Sequence, residues 1–220
     1  MFAMAAAIFD LDGVIVDTAK YHYLAWRRLA AELGFAFGED RNELLKGVSR
    51  MRSLDILLET GGLGSAFSAG EKERLADRKN GWYVEYISAM DESEILDGAM
   101  ECLEEYRSAG ARTALGTASR NAALILDRVR IRHLFDAVVD GSRVSRAKPD
   151  PEVFIAAAGD LCIPHDACAV FEDAAAGIEA AKRCGMYAVG IGSPGILGAA
   201  DEVIPGLARF RSLRLRPTPR

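Results

Sequence analysis

The apolar run at residues 5–9 empties directly into Asp10-Leu11-Asp12-Gly13. A short, unbroken apolar run reads as a strand buried on both faces, and the glycine after it lets the backbone turn. Acids leaving the carboxyl end of such a strand stand where open α/β sheets bind their ligands. In extended backbone Asp10 and Asp12 point the same way, about 7 Å apart by strand periodicity. Such a pair can address one metal ion or one phosphoryl group, and a hard cation such as Mg2+ offsets the repulsion between two carboxylates. Standing alone, Asp-Gly also begins an ordinary turn.

The pattern after this strand is helical. Trp26, Leu29, Ala30 and Leu33 recur at i, i+3, i+4 and i+7 behind Asp17 and Thr18, either of which can cap a helix, and Gly34 stops the run. Further helical stretches are expected over 53–60 and 71–90 around a Gly/Ser-rich break at 61–70, with no buried strand from 18 to 90. Beyond Asp91-Glu92-Ser93 the pattern alternates. Helices over 100–109, 121–129, 151–161 and 174–184 interleave with strands over 113–117, 137–140, 169–171 and 187–191, and Pro151 suits the start of its helix. Alternation of this kind predicts an α/β fold, a Rossmann-like parallel sheet with helices on both faces. The expected division is a core domain of residues 1–17 and 91–220 with an all-helical cap domain, 18–90, inserted through two linkers and able to hinge over the strand ends.

Charge narrows the partners. Twenty-seven basic against 32 acidic residues give a formal net charge of -5, so the surface as a whole offers no general attraction for nucleic acid or anionic lipid. An anionic substrate needs a local basic pocket. Residues 209–220 carry five arginines, which fit either a nucleic-acid arm or a solvated terminus; the acidic whole favours the latter. The first nine residues lack a basic n-region, and no apolar stretch approaches the roughly 18 residues of a membrane span. The expectation is a cytoplasmic protein with no membrane partner. Cys102, Cys162, Cys168 and Cys184 are scattered, as suits reduced thiols.

Three more expected strands end in chemistry of the same kind. Thr117, with Ser119, Arg120 and Asn121 behind it, supplies hydroxyls and donors for phosphate. Lys148, before Pro149, supplies a point cation, and Glu172-Asp173 supplies oxygen ligands for Mg2+. Singly, these are also a helix cap, a surface lysine and another cap. Together they fall at the carboxyl ends of consecutive parallel strands, which favours a site.

With Phe9-Asp10-Leu11-Asp12-Gly13-Val14, Thr117, Lys148 and Glu172-Asp173 in this order, the chain resembles a phosphotransferase of the haloacid dehalogenase superfamily. The resemblance implies Asp10 as nucleophile, forming an aspartyl phosphate, and Asp12 as general acid/base. It also implies Mg2+ held by Asp10, the backbone carbonyl of Asp12 and Asp173, with Glu172 close by, while Thr117 and Lys148 hold the phosphoryl oxygens. A carboxylate is a weak nucleophile toward a phosphate dianion, so a cation and positioned donors are what this chemistry requires.

The cap stretches Leu45-Lys46-Gly47-Val48-Ser49-Arg50, with Ser53 shortly after, Asp17-Thr18-Ala19-Lys20-Tyr21-His22-Tyr23-Leu24-Ala25-Trp26, and Arg78-Lys79-Asn80 resemble the hexose-phosphate mutases of that superfamily. By that resemblance Arg50 binds the phosphate that is not being transferred, and Gly47, Val48 and Ser49 face the sugar. Lys46 and His22 close the cap and position Asp12, with Thr18, Ser53 and Lys79 on the substrate side. Ser119, Arg120 and Asn121 meet the distal phosphate from the core. Arg120 and Thr117 stand where lysine and serine are expected, which bears on binding geometry rather than reaction type. The implied reaction is Mg2+-dependent interconversion of β-D-glucose 1-phosphate and glucose 6-phosphate through glucose 1,6-bisphosphate, by a monomer whose partner is a small phosphosugar. The alternative is a Mg2+-dependent sugar-phosphate phosphatase. A non-catalytic sugar-phosphate binder is a third reading, against which the complete catalytic set argues.

Overall fold

The computed structural model describes residues 4–45 and 48–209 of the 220-residue chain. Strand β1 (Ala6–Phe9) is followed by four helices, α1 (Ala19–Glu32), α2 (Glu39–Asn42), α3 (Arg50–Thr60) and α4 (Ala69–Ile87). Alternation then begins with α5 (Ala99–Ser108), β2 (Arg112–Gly116), α6 (Ala122–Arg128), β3 (Ala137–Val139) and α7 (Glu152–Leu161). It closes with β4 (Cys168–Glu172), α8 (Ala175–Arg183), β5 (Tyr187–Ile191), α9 (Pro194–Leu197) and β6 (Glu202–Ile204). The six strands form one parallel sheet in the order β3-β2-β1-β4-β5-β6. This is the α/β, Rossmann-like architecture that the alternation predicts.

Strand β1 is central, and its period-two geometry explains the layers. Ala7 and Phe9 join the cluster that contains Leu103 and Tyr106 of α5 and Ile125 of α6. Ala6 and Ile8 join the opposite cluster, with Phe154 of α7 and Ile178 of α8. Every residue of the strand is buried, so its sequence is a continuous apolar run rather than an alternating one. Phe9 stacks on Phe171 at 4.7 Å between centroids, and Tyr106 meets Phe9 edge-on at 6.2 Å. Such pairs contribute about 0.5–1.5 kcal/mol each beyond burial, here at the point where β1 and β4 deliver their acids. Strand order reverses around β1, and ligands of open α/β sheets sit outside the carboxyl ends at such a switch.

Helices α1, α3 and α4 have a cluster of their own, built on Trp26, Leu29, Leu54, Leu57, Leu58 and Ala76. The outgoing and returning segments between this layer and the sheet are paired. Asp17 donates its backbone N–H to the Glu94 carbonyl at 2.9 Å, and Leu96 donates to the Ile15 carbonyl at 3.0 Å. Tyr21 and Lys20 of α1 both reach the Glu94 carboxylate, at 2.6 Å each.

Local chemistry moves several boundaries from their expected places. Helix α3 begins at Arg50 rather than at residue 53, because Ser49 caps it by accepting from the Arg52 backbone N–H. Helix α4 starts at Ala69, inside the expected break, on a capping box between Ser68 and Glu71, and ends at Ile87. The short α2, α9 and β6 are additions, three or four residues each, too brief to show a period. Among the described residues no helix is long and apolar enough to cross a membrane. Residues 210–220 of the basic tail lie outside the described residues.

Candidate active site

Asp10 directly follows β1, and its geometry departs from the extended arrangement expected of it. The Asp12 backbone N–H turns back to donate to Asp10 Oδ2 at 3.1 Å, while Ile15 and Val16 donate to the Leu11 carbonyl and close a tight turn. Gly13 makes the turn possible, with φ +81°, and a Cβ there would overlap the Asp173 carboxylate. The two acids therefore leave the strand in different directions. Asp10 faces Lys148 and the acids of β4, whereas the Asp12 carboxylate accepts a hydrogen bond from the Thr18 hydroxyl.

Thr18 is the residue before α1 and is fully buried, but its side chain makes no capping bond to that helix. The sequence offers it as a cap; the structure gives its hydroxyl to Asp12 instead. Burial pushes the Asp12 pKa up to about 6, the Asp10 charge adds to this, and the Thr18 bond opposes it.

Lys148, at the Lys148-Pro149 cis peptide, is buried with its Nζ 2.5 Å from Asp10 Oδ1 and 2.7 Å from Glu172 Oε2. Burial works against the ammonium, but the two carboxylates outweigh it and hold the Lys148 pKa above the ordinary lysine value. Glu172 is fixed from its other oxygen by the Ala174 backbone N–H at 3.1 Å, and Gly177 allows its close approach to α8. Burial raises the Glu172 pKa against the pull of Lys148.

Asp10, Glu172 and Asp173 each present a carboxylate oxygen within 4.8 Å of the others. Three acids against one ammonium leave an excess of negative charge, the donor set of a hard divalent cation. The Asp12 carboxylate is not in this group, so only its backbone carbonyl remains to be considered as a ligand.

Thr117, just past β2, is buried, and its hydroxyl accepts from the Ser119 backbone N–H at 3.1 Å. Ser119 Oγ in turn accepts from the Asn121 N–H, a chain of short loops that sets the strand-to-helix turn.

Above these strand ends lies a cavity of about 520 Å3. Asp10, Asp12, Thr117, Lys148 and Asp173 line it from the sheet side, with Ser119, Arg120 and Asn121 beside them. His22, Val48, Ser49, Arg50, Ser53 and Lys79 line it from the helical layer. Thr18 and Glu172 sit behind the wall, in contact with Asp12 and Lys148. Lys46 and Gly47 lie outside the described residues.

His22 and Lys79 form a pair, Nδ1 to Nζ, at 2.8 Å. Lys79 is buried between the rings of Trp26 and Tyr83, 4.6 and 4.7 Å from their centroids, and His22 stacks on Tyr83 at 4.0 Å. Burial lowers the Lys79 pKa to about 7, with Arg50 adding and Asp12 opposing. Burial also holds the His22 pKa well below its usual value, reinforced by the charges of Lys79 and Arg50. The Tyr83 hydroxyl, fully buried, faces Thr18 and Ser119 without closing a hydrogen bond of normal geometry.

Sequence reasoning passed over Glu73, Asp77 and Tyr83, and gave Asn80 no role. Glu73, Asp77 and Asn80 line the cavity from one face of α4. Their i, i+4, i+7 spacing, beside the buried Ala76, Lys79 and Tyr83, is the signal that was available.

A family model described as haloacid dehalogenase-like hydrolase matches residues 4–185. Over 201 residues the chain is 42% identical to a protein of Bacillus subtilis named beta-phosphoglucomutase, covering 91% of this chain and 89% of that one. The crystal structure of a beta-phosphoglucomutase from Clostridium difficile superposes with a TM-score of 0.90 at 40% identity, covering 96% and 94% of the two chains. A Thermotoga maritima protein named phosphorylated carbohydrates phosphatase is 32% identical over 185 residues, 83% of this chain and 82% of that one. With the matched model spanning the first four strands of the sheet, the carboxylates of Asp10, Asp12, Glu172 and Asp173 and most of the helices, the chain belongs to the haloacid dehalogenase-like hydrolase family.

Proposed function

We propose that this chain interconverts β-D-glucose 1-phosphate and glucose 6-phosphate through an aspartyl phosphate and glucose 1,6-bisphosphate. The observation that carries the reading is one cavity with two unlike ends. Asp10, Asp12, Thr117 and Lys148 gather in one part of it at the strand ends, and in another Arg50 and Asn121 meet at Asn80 with the Arg120 charge near Arg50. A substrate with a phosphate at each end fits such a cavity in either orientation, and a bisphosphate intermediate has to be held both ways. Similarity to the Bacillus subtilis protein over most of both chains supports the same activity.

In the first half-reaction, Asp12 takes the proton from the 6-hydroxyl of β-glucose 1-phosphate as that oxygen attacks the phosphorus on Asp10. The bond from Asp10 to phosphorus breaks, and the bisphosphate forms. With the bisphosphate turned around, Asp10 attacks the phosphorus of the 1-phosphate while Asp12 returns its proton to the departing anomeric oxygen. Glucose 6-phosphate leaves and the aspartyl phosphate is restored. A group whose pKa lies near 6 can serve in both directions. Lys148 and Thr117 hold the transferring phosphoryl oxygens, and Arg50, Arg120 and Asn121 hold the distal phosphate. Asp10, Asp173, the Asp12 carbonyl and, close by, Glu172 would hold Mg2+, which supplies Lewis-acid withdrawal of charge from the phosphoryl oxygens.

Val48, Ser49 and Ser53 face the sugar; Gly47 is assigned the same role and Lys46 that of closing the cap, both by the resemblance alone. His22 and Lys79 sit behind Asp12 and tie its position to the helical layer. On this reading the helical layer closes as a lid when the distal phosphate is gripped, which favours a sugar hydroxyl over water as acceptor. The protein acts as a monomer on diffusible phosphosugars in the cytoplasm.

The test is a coupled assay for glucose 6-phosphate formed from β-glucose 1-phosphate with Mg2+ and a trace of glucose 1,6-bisphosphate, run beside free-phosphate detection. Isomer in excess of phosphate, lost in Asp10→Asn, supports the reading. Phosphate without isomer moves the protein to the phosphatases, the activity named for the Thermotoga maritima relative.

A further inference from the structure

One oxygen at the distal end of the cavity serves two donors from different parts of the molecule. Asn80 Oδ1, on α4, accepts from Arg50 Nη2 at 2.9 Å and from Asn121 Nδ2 at 3.1 Å. Arg50 opens α3 and Asn121 immediately precedes α6, so the single amide joins the helical layer to the sheet side. An amide oxygen has two lone pairs, and both are engaged here. The surroundings are strongly basic. Burial lowers the Arg50 pKa and the nearby Arg120 charge lowers it further, while Asp77, which pairs with Arg50 at 3.5 Å, is 79% exposed and heavily screened by solvent.

We propose that Asn80 determines specificity, its amide oxygen competing with the distal phosphate of the substrate for the donors of Arg50 and Asn121. This rests on the assignment of those donors to the distal phosphate. The Arg50 bond to the amide is charge-assisted from the donor alone, whereas a bond to phosphate joins opposite charges, bidentate where the geometry allows, and is the stronger of the two. A dianion therefore displaces the amide with a net gain. A sugar hydroxyl, neutral like the amide, exchanges one such bond for another and gains nothing. Asn80 is thus a filter for charge, admitting phosphosugars and turning away free sugars of the same shape. It also holds the layers together through the bonds that the phosphate inherits.

The probe is inorganic sulfate, titrated calorimetrically into the full chain. Asn80→Ala removes the competitor, and sulfate binds about three- to tenfold more tightly. Asn80→Asp, nearly isosteric, places a carboxylate against Arg50, and sulfate binds at least about tenfold more weakly, with KM for β-glucose 1-phosphate rising by a larger factor than kcat falls. Sulfate affinity that is unchanged or weaker in Asn80→Ala overturns the proposal, the latter by making Asn80 a ligand of the anion. If Asn80→Ala fails to fold, unchanged affinity in Asn80→Asp overturns it equally. Arg50→Ala separates this from the assignment beneath it. Sulfate binding indifferent to Arg50→Ala removes the distal-phosphate site itself, whereas binding that needs Arg50 but is not tightened by Asn80→Ala removes only the competing role.

Discussion

Lys148 Nζ lies 2.5 Å from Asp10 and 2.7 Å from Glu172, so one buried ammonium balances carboxylates delivered by two neighbouring strands. Its loss leaves those acids facing each other without a cation. Lys148→Met is expected to lower kcat by at least about 100-fold, and to destabilise the fold by about 3–5 kcal/mol in urea titrations at neutral pH. A variant as stable as the parent would show that solvent, rather than Lys148, compensates Asp10 and Glu172.

The acid group proposed to hold Mg2+ gives a prediction that needs no turnover. Mg2+ should raise the thermal midpoint of the parent, and Asp173→Asn should abolish that rise. Gly13→Ala tests the same site from the backbone, since its φ of +81° disfavours any Cβ and the new methyl would displace the Asp173 carboxylate. Its response to Mg2+ should be lost together with that of Asp173→Asn; a full response in Gly13→Ala would separate the turn from the metal.

Thr18→Val removes the hydroxyl that lowers the Asp12 pKa, so that pKa must rise from about 6. In its proposed role as base in the half-reaction where phosphoenzyme meets β-glucose 1-phosphate, Asp12 has to be ionised to accept a proton, so kcat/KM should climb with pH through this value. The acidic limb of the profile should move to higher pH by about half a unit to one unit, set by one hydrogen bond to a charged group. A limb that stays in place would assign it to another group.

Lys79 has a folded-state pKa of about 7 against 10.5 in a free side chain, so the unfolded chain binds its proton more tightly than the folded one. The resulting destabilisation is fully present below about pH 7 and disappears as pH rises through 10.5. Lys79→Met keeps the stem between Trp26 and Tyr83 and removes the charge. Its stability advantage should be on the order of 4 kcal/mol at pH 6 and vanish above pH 10.5, as read from urea midpoints across pH. An advantage independent of pH would place the effect in packing alone.

What the sequence could say follows from length and period. The runs that became β1, β2, β4 and β5 are four or five residues long, almost entirely buried and bounded by turn residues, so they stand out. The three residues of β6, Glu202, Val203 and Ile204, include an acid and carry no period at all. Acids and hydroxyls at strand ends were legible because the strands themselves were. The turn that sends Asp12 away from Asp10 was not, since it depends on a backbone N–H folding back onto the Asp10 carboxylate. Thr18 likewise reads as a cap, and only the packed structure shows its hydroxyl on Asp12. The cavity-lining stripe of α4 escaped because Glu73, Asp77 and Asn80 read as the solvated face of an ordinary helix, and Glu73 and Asp77 do remain exposed at the cavity wall.

The most direct test of the account follows the phosphoryl group itself. Enzyme carrying a radiolabelled phosphoryl on Asp10 is mixed with β-glucose 1-phosphate and Mg2+, and the label is traced within one turnover. Label is expected in glucose 1,6-bisphosphate, with little in free phosphate. Label released as inorganic phosphate at the same rate with and without the sugar phosphate would contradict it.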